Sequence, residues 1–265
     1  MTATLGATSM RSSRLPRSLS GVATGVVGFA AFLVAWKAVV IVGDYPTFIL
    51  PPPEVVAARF VSGWTEGTIG RHAGTTLLEV AFGFATGAAS AIVVGYGLAR
   101  SRLVERLVSP YIVAAQATPI LALAPLLVLW FGPGLTAKVV ICALIVFFPV
   151  AISTMVGIRA VDARLLELAR SLRATRWQVL VGLEIPAAMP SIFGGLRVGV
   201  TLAVVGAIVG EWAGSERGLG VLVNLARGSL FDIPLLFATL VTIALLGIAL
   251  YALVVIVERI LLGAR

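Results

Sequence analysis

Apolar residues in this chain come in long blocks, and the blocks themselves are the first signal. Six of them run about Leu19–Val42, Ala73–Ala99, Leu107–Trp130, Leu135–Ile158, Ala187–Ala213 and Pro234–Leu262. Each reaches the roughly 20 residues that a helix needs to cross the hydrocarbon core of a bilayer. Pro110, Pro119 and Pro125 interrupt the third. Proline removes a backbone donor and bends a helix, which a bilayer tolerates only where protein or a watery cavity covers the freed groups. The pattern predicts an all-α integral membrane protein of about six spans. One domain covers residues 19–265, behind an N-terminal tail of residues 1–18. Between the first two spans, Leu50-Pro51-Pro52-Pro53-Glu54 makes a stiff turn before a short helix, Glu54–Trp64. Trp64 suits a membrane interface.

The stretch from Ala160 to Pro186 is too polar to span, yet it is patterned. Asp162 can cap a helix. Leu165, Leu168, Ala169 and Leu172 then fall on one helical face. A break follows at Arg173-Ala174. Thr175 and Gln178 carry the S/T-x-x-E/Q capping box, Trp177, Leu180 and Val181 supply a second apolar stripe, and Pro186 is expected to end this helix. Two amphipathic helices therefore interrupt the spans. Their apolar stripes must meet the bundle, the membrane surface or another protein.

Composition agrees with the blocks. The 265 residues are 59% hydrophobic and 12% charged, with mean hydropathy +1.06, where soluble domains carry about 25% charged residues. The net charge of +8 does not indicate nucleic acid, because the arginines sit at the ends of apolar runs. One set of loops and tails holds 13 Lys and Arg residues, among them Arg11, Arg14, Arg17, Arg100, Arg159, Arg170 and Arg259; the opposite set holds 5, namely Arg59, Arg71, Lys138, Arg217 and Arg227. The positive-inside rule puts the richer set, both termini and the 160–186 loop in the cytoplasm. Lys37 and Arg197 lie within spans near an end, where long side chains snorkel. The first apolar run follows three arginines as a signal peptide would. At about 24 residues it exceeds a 7–15-residue signal core, so it reads as a retained span.

Small residues recur at four-residue spacing: Gly83 and Gly87, Gly195 and Gly199, and Gly206, Gly210 and Gly214. Such spacing lets helix backbones approach closely, within one bundle or across a dimer. Polar residues inside apolar runs mark a solute path or helix–helix hydrogen bonds: Gln116 and Thr118 beside Pro119, Ser153 and Thr154, and Thr201. Glu79 reads as a partner for a neighbouring helix, and Glu211, near a helix end, as solvated. Nothing points to an enzyme. The chain has no H-E-x-x-H, no phosphate-binding G-x-x-x-x-G-K-[ST], one cysteine (Cys142) and one histidine (His72), so no catalytic centre, metal site or cofactor is expected. A stand-alone secondary transporter would show an inverted repeat or several midplane acidic groups, and neither is present.

The 160–186 loop resembles the "EAA" motif of ABC importer permeases. Glu167 holds the Glu position, Ala169 the second Ala, Leu183 and Ile185 the apolar pair, and Pro186 the terminal Pro. Leu168 replaces the first Ala, and Arg173 stands where the motif has Gly, a position suited to left-handed backbone. The run PILALAPLLVLWFGPG from Pro119 to Gly134, Phe147-Phe148-Pro149 and Arg217-Gly218-Leu219-Gly220 are similar to the nitrate/sulfonate/taurine branch. This resemblance covers about Leu50 to Arg259. It implies a type I importer bundle with a cytoplasmic coupling helix pair in the bacterial inner membrane. It further implies a cytoplasmic ATPase dimer, an extracytoplasmic solute-binding protein and a second permease copy, most simply a homodimer. Glu167, Ala169, Arg170 and Trp177, with Leu183, Ile185 and Pro186, are the expected ATPase-coupling residues. The solute would be a nitrate-, sulfonate- or taurine-like anion, with a pyrimidine vitamin precursor or a flavin as the alternative.

Overall fold

The computed structural model describes residues 17–263, so most of the expected tail, with Arg11 and Arg14, lies outside the described residues. The described chain is helical: α1 (Arg17–Val42), α2 (Pro53–Thr65), α3 (Thr68–Arg100), α4 (Arg102–Ala117), α5 (Ile120–Phe131), α6 (Leu135–Arg159), α7 (Ala163–Ser171), α8 (Arg176–Val179), α9 (Ile185–Gly214), α10 (Leu219–Arg227) and α11 (Ile233–Gly263). Among the described residues, five helices are long and apolar enough to cross a membrane: α1, α3, α6, α11 and the continuous rod Arg176–Gly214.

The third expected span is broken. Thr118 and Pro119 are extended, with ψ of 122° and 109°, and they divide the run into α4 and α5, each too short to cross alone. A residue before proline is pushed away from helical backbone, and here that preference prevails at Thr118. Pro110 and Pro125 stay inside their helices.

Pro186 does not end a helix, as its position suggested. Leu180–Glu184 forms a single π turn that joins α8 to α9. In that wider turn the Ile185 N–H reaches back to the Leu180 carbonyl. The ladder thus changes register just before Pro186, the residue with no N–H to contribute.

The centre of the bundle is α3, α6 and α9, drawn together by small residues. A Cβ on Gly87 would lie 2.6 Å from the Ala143 carbonyl oxygen, and one on Gly95 2.5 Å from that of Ala151. Gly195 meets Ser153 and Pro149 in the same way, and Gly206 meets Cys142. The four-residue glycine spacing therefore serves packing within this bundle. Val80, Ala91, Val146, Val150, Ala203 and Ala207 fill the resulting core. Among the described α1 side chains only Val40 is buried, so α1 lies at the periphery of the bundle. Lys37 of α1 pairs with Glu54 of α2 at 3.0 Å. α2 is held to the start of α11 by Arg59, whose Nε donates to Asp232 at 2.7 Å. That bond raises the guanidinium pKa further above its ordinary value.

Candidate functional site: a helix pair at one end, a sealed polar cluster at the other

The connection between α6 and α9 forms the helix pair that its pattern foretold. The Asp162 side chain accepts from the Arg164 N–H and starts α7. Arg173 takes the left-handed backbone, φ 53°. The Ala174 N–H then closes onto the Ala169 carbonyl at 2.9 Å, the wide 6→1 bond of a helix-ending turn. Arginine thus adopts the conformation that glycine would take without a Cβ penalty. Both halves of the capping box are made: the Gln178 N–H donates to Thr175 Oγ1 at 3.3 Å, and the Thr175 N–H to Gln178 Oε1 at 2.8 Å.

The apolar faces of this pair point outward. Leu168 is 55% exposed, Leu172 73% and Trp177 71%. Glu167 and Arg170 are exposed beside them, while Ala169 is buried. Ile185 is exposed, and Leu183 and Pro186 are half-buried where the rod enters the bundle. A groove of about 900 Å³ separates α7 and α8 from the end of α3, lined by Tyr96, Arg100, Leu166, Arg170, Trp177 and Glu184. Exposed leucine and tryptophan flanked by charges, capped into rigid form, are what a docking surface requires.

The opposite end of the bundle is different. Lys138, counted above among loop charges, is buried in the first turn of α6. Its Nζ donates to Glu79 Oε1 at 2.8 Å and to Ser215 Oγ at 2.6 Å. Glu79 therefore does pair with a neighbouring helix. Glu211 is not solvated: it is 2% exposed. Its Oε1 accepts from Thr76 Oγ1 at 2.6 Å, and its Oε2 from the Gly220 N–H. Thr76 Oγ1 in turn accepts from the Leu219 N–H at 2.8 Å, and His72 Nδ1 sits 2.7 Å from the Gly218 carbonyl oxygen and 3.0 Å from the Gly218 nitrogen. Gly218 has φ 137°, and a Cβ there would fall onto the Glu211 carboxyl, so only glycine fits. These bonds hold Arg217-Gly218-Leu219-Gly220 as a rigid loop between α9 and α10. Proximity to a helix end suggested water around Glu211, whereas the loop folds back and covers it.

The residues singled out for a solute path lie on three helices and the α4–α5 break. Gln116 and Thr118 are exposed at the α4–α5 break, and Thr118 Oγ1 donates to the Ala114 carbonyl. Thr201 is exposed on α9 and bonds its own helix at Val198. Ser153 packs against Gly195, and Thr154 is buried against Gly95 with its hydroxyl on the Val150 carbonyl. Arg197 joins Glu258 of α11.

Comparison with known proteins agrees with this architecture. Residues 87–262 match the family described as binding-protein-dependent transport system inner membrane component. The chain belongs to that family. The permease is 46% identical to the riboflavin transport system permease protein RibX of Chloroflexus aurantiacus, over 86% of this chain and 85% of that one. It is 35% identical to the formylaminopyrimidine transport permease protein ThiX of Halalkalibacterium halodurans, over 89% and 94%. It is 32% identical to the putative aliphatic sulfonates transport permease protein SsuC of Bacillus subtilis, over 89% and 85%. Among solved structures, the inward-facing MetNI methionine ABC transporter superposes with a TM-score of 0.59 at 20% identity, over 70% of the permease and 90% of that chain. The permease is thus an integral inner-membrane ABC transport subunit with an importer-type fold.

The fold gives two charged residues a prominence that their sequence positions alone did not signal. Arg159 immediately precedes the 160–186 loop and Glu184 lies near its end, and both contact the end of α3. The available signal was a charge at each junction between the loop and an apolar run.

Proposed function

We propose that this permease is driven by a cytoplasmic ATPase that docks on the 160–186 helix pair. Two permease copies would form the pathway, both termini would face the cytoplasm, and an extracytoplasmic binding protein would deliver solute at the opposite face. The observation that carries the docking reading is the outward exposure of Leu168, Leu172 and Trp177 on a capped, rigid helix pair. Apolar side chains held this way gain by entering a partner's groove. Glu167 and Arg170 beside them supply charges that select the partner and its register. For the solute, identity to RibX and ThiX favours a flavin- or pyrimidine-like heterocycle. The sulfonate reading retains support from SsuC.

Affinity purification of the tagged permease from its native membrane in mild detergent tests the docking. An ATPase subunit should co-purify with the unaltered chain and be lost with the Glu167→Arg, Ala169→Asp double variant. Unchanged capture by the variant would remove the helix pair from the interface. Uptake of labelled riboflavin that disappears on deletion of the permease, and is insensitive to excess taurine, supports the flavin reading. Inhibition by taurine would favour the sulfonate class.

A further inference from the structure

The helix pair reaches the bundle through two covalent junctions, one to α6 and one to α9, and an open groove lies between it and α3. A movement imposed on α7 and α8 would be partly lost in that groove, and the π turn is a wide, deformable joint. Yet the residue at each junction grips the same place. Arg159, the last residue of α6, donates from Nη2 to the Leu98 carbonyl at 2.8 Å and from Nε to the Ala99 carbonyl at 3.3 Å. Its Nη1 donates to Glu105 of α4 at 2.7 Å. Leu98 and Ala99 lie in the last turn of α3, whose carbonyls have no partner within the helix and carry the negative end of its dipole. At the other junction Glu184, the last residue of the π turn, forms an ion pair with Arg100, Oε1 to Nη1 at 2.9 Å. Arg100 is itself held by its Nε on the Tyr96 hydroxyl and by the Tyr96 ring face. Glu184 is 3% exposed, and a buried charge keeps its partner tightly.

We infer that Arg159 and Glu184 are positioning residues that clamp both ends of the helix pair onto the last turn of α3. Displacement of the pair then moves α3 and α4 together with α6 and α9. The clamp turns a loop with two flexible attachments into a lever with four. This inference rests on the ATPase-docking reading.

The test uses the permease–ATPase complex in lipid, with nitroxide labels at Tyr111→Cys on α4 and Leu245→Cys on α11, both exposed. Pulsed electron paramagnetic resonance measures their separation without nucleotide and after trapping with ATP, magnesium and vanadate. The ATP-driven change should be present in the unaltered complex, reduced in Arg159→Gln and in Glu184→Gln, and absent in the double variant. ATPase capture should be unchanged in all three. Glu184→Gln leaves a cation that is already half solvated, with the Arg100 side chain 43% exposed, so the variant is expected to fold. A full distance change in the double variant would overturn the clamp, as would no change in the unaltered complex. Loss of ATPase capture by both single variants would also overturn it, by making these residues part of docking or folding. Failure of the unaltered permease to capture an ATPase is a separate result: it ends the docking reading and, with it, the premise of the clamp.

Discussion

The two ends of the bundle solve opposite problems with similar residues. At the 215–220 end, charges are buried and nearly saturated: Lys138 has Glu79 and Ser215, and Glu211 has Thr76 and Gly220. At the 160–186 end, apart from the buried Glu184, charges and large apolar groups alike face outward, and the chain keeps its shape through local caps. The first end is a fixed frame, because a buried ion that loses its partner is costly. The second is free to take a partner, because its side chains would give up little protein contact on docking. The proposed docking uses this asymmetry: one rigid end, and one end shaped in advance but left uncovered.

The largest expected effect lies in the frame. Lys138→Met leaves the Glu79 carboxylate buried without its cation, and should cost about 3–5 kcal/mol. Adding Glu79→Met should recover most of that loss, since a buried ion pair replaced by apolar groups of similar volume is often neutral. Chemical unfolding in detergent reads both variants, and equal damage from the single and double changes would sink the ion-pair account. In the seam that joins the two ends, Gly87→Ala places a Cβ 2.6 Å from the Ala143 carbonyl oxygen. Backbone cannot yield as a side chain does, so about 1–3 kcal/mol should be lost. A melting point equal to that of the unaltered protein would show that α3 and α6 are not seated so closely. The smallest effect belongs to the helix pair. Arg173→Gly relieves left-handed backbone at φ 53° and should stabilise the α7–α8 turn by about 0.5–1 kcal/mol. Slower amide exchange over residues 163–179 with an unchanged global melt is the expected signature. Faster exchange would mean that the arginine side chain itself holds the turn.

Much of the helix pair was legible in sequence. Its determinants are local: Asp162 caps the helix it precedes, Thr175 and Gln178 are three residues apart, and the turn at Arg173 closes on Ala169. Neighbours in sequence are neighbours in space there, so spacing suffices. The break at Thr118-Pro119 was legible for the same reason in kind, though not in degree. Three prolines interrupt one run, and only Pro119 meets an unwound backbone, while Pro110 and Pro125 remain helical. Pro186 looked like a terminator because proline lacks a donor, yet one π turn absorbed the defect within a continuous rod.

By itself, then, the sequence determined the class of the protein, its long apolar helices and the capped helix pair. All of these follow from local periodicity, local hydrogen bonding and the solvent that apolar blocks demand. The partners of the glycine seams came from the fold. Only the tertiary structure decided the fate of the isolated charges. Lys138 and Glu79 are 59 residues apart, and Glu211 and Thr76 135. Whether such a charge meets water, lipid or an opposite charge depends on which helices pack together. The same holds for Arg159 and Glu184: each looks like an ordinary end-of-helix charge until α3 is brought beside both.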